Sequence, residues 1–460
     1  MNRRRLLTLT AAALTAGILL PVGTASASTA SAGAAAGAAA GEPDPVVGAL
    51  QRRAVPLGDL DGVVRMFGDA RVVALGEASH SGHEFFALKA RLFKRLVATR
   101  GFTTFALEAS WSTGLRLDTY VTRGVGDPEQ IMRDEFQGQY VFWNTDEYLD
   151  LIRWMRHYNV SHPRRPALRF VGNDLGYPGP EAFDQVTSYV TAHRPGVAGR
   201  IAALYAGLRP ARNASAGAWM GQQLGKDPAS RRAEADRAER ALTVLRASGR
   251  PRGSAGRAYD WAVQNATAVA QSFTGYAFPD EEFPERMRYR DQVMADNTAW
   301  WLAHTNGRIL LAANNGHVAY TSDNPQEFPE PVGAFLREKL GRKYVSVGLT
   351  FNEGSLNALP DYTAQQPQKY TVAPAPVGHN EHTLDQVRHR DFALDLRTAP
   401  SEARAWLDTA RPTRSYGLYW SDQDPETALG RSYDIVIHLH RVEAARLRTL
   451  ASVKDGHSHS

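Results

Sequence analysis

The chain has 460 residues, 43% hydrophobic and 22% charged, which suits a soluble globular protein with one large core or two modest ones. It has no cysteine, which excludes thiol nucleophiles, thiolate zinc sites and disulfide scaffolds. The formal charge of +5 is scattered among acidic residues with no sustained Lys/Arg stripe, which argues against nucleic acid as a partner.

In chain order, residues 1–27 read as an export signal. Arg3, Arg4 and Arg5 give a basic start, residues 6–20 an apolar run too short to span a membrane comfortably, and Ala25-Ser26-Ala27 a small-residue cleavage site. The paired arginines before Leu6 and Leu7 resemble a twin-arginine signal, so a secreted or extracytoplasmic bacterial protein is expected, without a membrane partner once the signal is removed. Residues 28–45 are almost all Ala, Gly, Ser and Pro and read as a linker, because they bury too little apolar surface to offset the entropy of ordering them. The expected catalytic unit covers residues 46–450. A tail over residues 451–460 follows, in which His457 and His459 belong to a frayed terminus.

Four short β-type runs each end in polar residues. They are "RVVAL" before Gly76-Glu77, "TTFAL" before Glu108, "LRFVG" before Asn173-Asp174, and "RILLAA" before Asn314-Asn315-Gly316-His317. After the first, Phe85, Leu88, Leu92 and Leu96 recur at helical spacing, and Gly101 stands where a helix would stop. Strand, helix, strand predicts a three-layer α/β fold, a mostly parallel central sheet with helices on both faces. "YVSVGLTF" from Tyr344 and "YDIVIHLH" from Tyr433 add strands. Residues 197–301, rich in Ala and Arg, form a helical insertion that either roofs a cleft or stands as a separate helical subdomain.

Ligands of an open parallel sheet bind outside the carboxyl ends of its strands. That places Glu77, His80, Glu108, Asp174 and His317 around one expected cleft. There is no G-x-S-x-G elbow, and "HEFFA" after Gly82 is not H-E-x-x-H, so the serine hydrolase and zincin readings lack their motifs. Histidine and carboxylate remain. A histidine takes a proton from water while a carboxylate on its other ring nitrogen fixes the tautomer; Glu77 on the same turn as His80, or Glu108 from the neighbouring strand, suits that role. His83 reads as a surface residue of the first helical turn.

"ALGEASHSGHEFFALKARLFKRLV", "GFTTFALEASW", "LDTYVTRG", "LIRWMRHYN", "YRDQVMADNTAWWL" and "NNGHV" resemble the successive signatures of the erythromycin esterase family, in order over residues 71–440. The resemblance implies opening of a macrolactone or related cyclic ester by histidine-activated water. It makes His80 the general base, Glu77 and Glu108 its acidic partners, and His317 the last histidine of a His-Asn-x-His segment. It puts Lys89 where the family has a basic residue, and with it Asn314, Asp174 and Asp296 are expected to face a small-molecule lactone or macrolide. No cofactor is expected. Asn314 departs from the pattern, standing where the family's segment has its first histidine. An amide donates a hydrogen bond to a developing oxyanion but exchanges no proton. Two alternatives stay open on such a fold: a metal-dependent hydrolase using His80, His317 and a carboxylate, and a non-catalytic protein binding haem or another ligand.

Overall fold

The computed structural model describes residues 44–448 apart from 362, 363 and 365. The expected signal, nearly all of the linker and the tail lie outside the described residues. The helix Pro45–Gln51 begins on the last linker residue, capped by the Asp44 carboxylate, which accepts from the Val46 N–H at 2.8 Å. Among the described residues no helix is long and apolar enough to cross a membrane.

Nine strands build the main sheet: β1 (Val55–Pro56), β2 (Val72–Leu75), β3 (Phe102–Ser110), β4 (Arg169–Asp174), β5 (Arg308–Ala312), β6 (Tyr344–Ala358), β7 (Gln368–Val372), β8 (Phe392–Asp395) and β9 (Ile435–Val442). Their order is β1-β8-β9-β6-β2-β5-β3-β4, with β7 added to β6. The six strands from β9 to β4 run parallel, and β1, β8 and β7 pair antiparallel with their neighbours. All six expected strands are present. The antiparallel edge was not expected, because two-residue β1 and four-residue β8 are too short to show a period.

Alternate residues of each strand feed two cores, as the two-residue period of a strand requires. Val73, Leu75, Phe105, Leu107 and Leu310 face one, and Val72, Ala74, Ala106, Ile309 and Leu311 face the other. The helix His83–Arg100 covers the first with Phe85, Leu88, Leu92 and Leu96 and ends at Gly101, whose φ of 66° a residue with a Cβ adopts only with strain. It carries the chain from β2 to β3 and leaves a gap that β5 fills later. The carboxyl ends of β2, β5 and β3 are thereby side by side.

Between β4 and β5 the chain forms the helices Gly179–His193, Pro195–Tyr205, Ala216–Leu224, Pro228–Ala247, Ser254–Ala277 and Phe283–Thr305. The last packs on β4 and sends Met294, Trp301 and Leu302 into the second core. This last helix of the block is therefore packed into the α/β body.

Candidate active site

The turn after β2 is held from two sides. The Asn315 N–H donates to the Glu77 carbonyl at 3.0 Å, and the Tyr416 N–H donates to the Ala78 carbonyl at 2.6 Å. Gly76 has no room for a Cβ, which would sit 2.1 Å from Asn315 Oδ1. In this fixed turn His80 Nδ1 lies 3.0 Å from Glu77 Oε1, while Lys89 donates to Glu77 Oε2 and, at 3.3 Å, to the Ala313 carbonyl. Burial lowers the Lys89 pKa against the opposing pull of Glu77 and Glu108. His80 Nε2 makes no hydrogen bond to any described residue, and Trp143 packs edge-on against the ring at 4.9 Å.

A second group converges from β3, β4, β5 and the helix Phe283–Thr305. Glu108 Oε2 accepts from the Asn314 N–H at 3.0 Å, and Oε1 accepts from Arg290 Nη2 at 2.8 Å and lies 3.2 Å from His317 Nε2. Burial pushes the Glu108 carboxyl up, but the charges of His317, His80 and Arg290 outweigh it and hold it well below the usual carboxylate range. His317 Nδ1 lies 2.6 Å from Asp291 Oδ1. Burial lowers the His317 pKa, yet Asp291 and Glu108 together raise it to about 10, so the ring is an imidazolium at neutral pH. Its Nε2 is also 3.2 Å from Arg290 Nη1. Two donors meet there, and the Glu108 oxygen both of them reach compensates.

The expected residues therefore fall into three sets. Glu77, His80, Glu108, Asn314 and His317 come together at the carboxyl ends of β2, β3 and β5, as expected. Lys89 and Asp174 come close but are buried against protein partners. Lys89 is fully buried beneath Glu77, and Asp174 is saturated by Arg290 Nη2 at 2.6 Å, the Tyr140 hydroxyl at 2.9 Å and the Leu175 N–H at 2.7 Å. Both correct the expectation of substrate contact. Asp296 is a further correction: its side chain is 42% exposed and pairs with Lys339 at 2.9 Å, away from the cluster. His83 opens its helix half-exposed and bonds Glu147 at 2.6 Å. Arg290 and Asp291 were missed. Their signal was present, since Asp291 shares a helical stripe with buried Met294, Thr298 and Trp301.

Asn314 Oδ1 caps the short helix Asn315–Val318 by accepting from the Gly316 N–H at 2.9 Å. That fixes the amide and leaves Nδ2 buried with no partner among the described residues. Among the described residues no group of three or more His, Asp and Glu side chains is set out to hold a metal ion. The two histidines direct their Nδ1 atoms at different carboxylates.

Fold and cluster together define an α/β protein with a histidine–carboxylate centre at the carboxyl edge of a parallel sheet. The chain belongs to the erythromycin esterase family, whose model, Erythromycin esterase, matches residues 97–442. Glu77 and His80 precede that stretch. The erythromycin esterase type II of Escherichia coli is 33% identical over 113 residues, which are 24% of this chain and 25% of that protein, so the alignment spans a quarter of the relative's length. A solved succinoglycan biosynthesis protein superposes with a TM-score of 0.77 at 28% identity, over 88% of this chain and 98% of its own. A Bacillus cereus protein does so with a TM-score of 0.78 at 25% identity, over the same shares. An erythromycin esterase mutant in its open conformation, at 17% identity and a TM-score of 0.62, covers 85% of this chain and 96% of its own, and shares the fold.

Proposed function

We propose that the protein hydrolyses a carboxylic ester, a macrolactone or related cyclic ester, with water activated by His80. The observation that carries the reading is the His80–Glu77 pair. In this reading His80 Nδ1–H donates to Glu77 Oε1, 3.0 Å away, which leaves Nε2 as the basic nitrogen, unengaged by any described residue. Nε2 takes a proton from water as its oxygen attacks the ester carbonyl, and the resulting imidazolium returns that proton to the leaving alkoxide. One water adds, and the opened ring carries the new acid and the new alcohol on a single product. Glu77 stabilises the imidazolium and is itself held by Lys89.

The oxyanion formed on the way needs a donor that no protein group already occupies. Asn314 Nδ2 suits it, since its amide is oriented by the Gly316 bond and its N–H groups are buried and unpartnered. Arg290 and the His317 imidazolium add positive charge nearby. Membership of the erythromycin esterase family supports the ester-hydrolase reading, and the signal-like residues 1–27 support export.

The test is a panel of macrolides and simpler lactones incubated with the protein, read by mass spectrometry for the addition of one water. Wild type is expected to convert at least one, and His80→Ala to lower its kcat/KM by about 10²- to 10⁴-fold with the fold intact. Equal turnover by the two proteins removes His80 from the mechanism.

A further inference from the structure

On the helical side of the cluster lie two cationic groups that the reaction does not use. Arg231, in the helix Pro228–Ala247, is only 4% exposed, yet its Nε and Nη1 are buried with no hydrogen-bond partner among the described residues. Its ion-pair partner, Asp280, is 3.7 Å away with a side chain 80% exposed, a weak counter-charge. Arg286 is one turn before Arg290 in the helix Phe283–Thr305, and its Nε is likewise buried and unpartnered. Asp280 lies three residues before the helix Phe283–Thr305, so Arg231 reaches the start of the helix that carries both Arg286 and Arg290. Burial lowers the Arg286 pKa, Asp280 and Tyr276 oppose this, and the charges of Arg231 and Arg290 lower it further. Burial raises the pKa of Tyr276, on which the charges of Asp174, Arg286 and Arg290 also act.

Arg290 is neutralised by Asp174 and Glu108. Among the described residues Arg231 and Arg286 have only the solvated Asp280 as a counter-charge, and Arg286 also lies over the Phe283 ring at 5.1 Å. A buried guanidinium without hydrogen bonds is costly, and like charges one helical turn apart add to the cost. An oxyanion removes both penalties, because its oxygens match the forked donors of arginine.

We propose that Arg231 and Arg286 form an anion subsite for a carboxylate, phosphate or sulfate group carried by the substrate, beside the reaction centre. Assigning the anion to the substrate rests on the ester-hydrolase reading; the subsite itself does not. Calorimetric titration of the whole protein with sodium sulfate at constant ionic strength tests it. One saturable site is expected for wild type, at least tenfold weaker in Arg231→Gln and Arg286→Gln and unchanged in Arg232→Gln, an exposed neighbour. Thermal melting gives a parallel readout: sulfate raises the Tm of wild type and Arg232→Gln but not of the other two. If Arg231→Gln does not fold, Arg231→Lys, which keeps the charge and loses the fork, replaces it. No saturable heat, or equal binding by all variants (an adventitious ion only), overturns the subsite. Turnover then separates the two ideas. A preference in kcat/KM for a carboxylate-bearing lactone over its neutral analogue, lost in Arg286→Gln, supports the substrate assignment, and an equal rate on the two lactones overturns it. Sulfate binding without hydrolysis of any ester refutes the hydrolase reading and, with it, the assignment of the anion to a substrate ester, while leaving the subsite in place.

Discussion

His317 and His80 are the same residue type in similar sequence settings, but their surroundings separate them. Both ring nitrogens of His317 face carboxylates, Asp291 at 2.6 Å and Glu108 at 3.2 Å, so it keeps a proton across the neutral range. His80 has one nitrogen on Glu77 and the other without a partner among the described residues. The His317 pKa is raised from 6.5 to about 10, so its contribution to stability is complete below pH 6.5 and is lost as pH rises toward 10. The Glu108 pKa is lowered from 4.5, so its contribution is present above 4.5 and is lost as pH falls below it. The pair therefore stabilises most between pH 4.5 and 6.5. Thermal melting from pH 6 to pH 10 is expected to show a steeper fall in Tm for wild type than for His317→Gln. Parallel profiles would show that His317 does not hold its extra proton.

At the scale of the element, one helix decides which of two aspartates belongs to the site. Along the helix Phe283–Thr305 each residue advances about 100°, so Asp296 is turned about 140° from Asp291. Asp291 is 3% exposed and also accepts from the Val332 N–H at 3.0 Å, which anchors the helix Val332–Leu340 behind His317. Asp296 meets solvent and Lys339. Asp291→Asn is therefore expected to lower kcat/KM and Tm together, and Asp296→Asn to change stability by less than about 1 kcal/mol and leave turnover intact, as exposed ion pairs do. Melting and kinetics on the two purified variants check this. The motif that contains both aspartates was legible in the sequence; counting its phase against the buried stripe would have chosen the right one.

At the scale of the molecule, Arg290 joins the helical block to the sheet. Its guanidinium reaches Asp174 at the end of β4 and Glu108 in β3, at 2.6 and 2.8 Å, and lies 3.2 Å from His317 after β5. Removing it strands Asp174, which is fully buried. Breaking a buried pair by deleting one partner costs about 3–5 kcal/mol, so Arg290→Met is expected to destabilise by that amount in chemical denaturation. The double variant Arg290→Met/Asp174→Asn should recover part of the loss. If the double variant is as unstable as the sum of its two single changes, Asp174 and Arg290 do not depend on one another.

The sequence by itself determined the parallel strands, the helix that ends at Gly101, and the polar residues at the strand ends, because each rests on local periodicity or on chain direction, which short segments record. It also brought Glu77, His80, Glu108, Asn314 and His317 to one edge, since every one follows or closes a strand. Only the tertiary structure decided how those groups are charged and which of them are taken up by protein partners. Lys89 and Asp174 are polar residues near the cleft in any linear reading, yet one lies beneath Glu77 and the other is consumed by Arg290. Arg290 is 116 residues from Asp174 and 182 from Glu108. Contacts at such separations depend on how a helix docks against the sheet, and hydrophobic spacing within that helix carries its phase but not its destination.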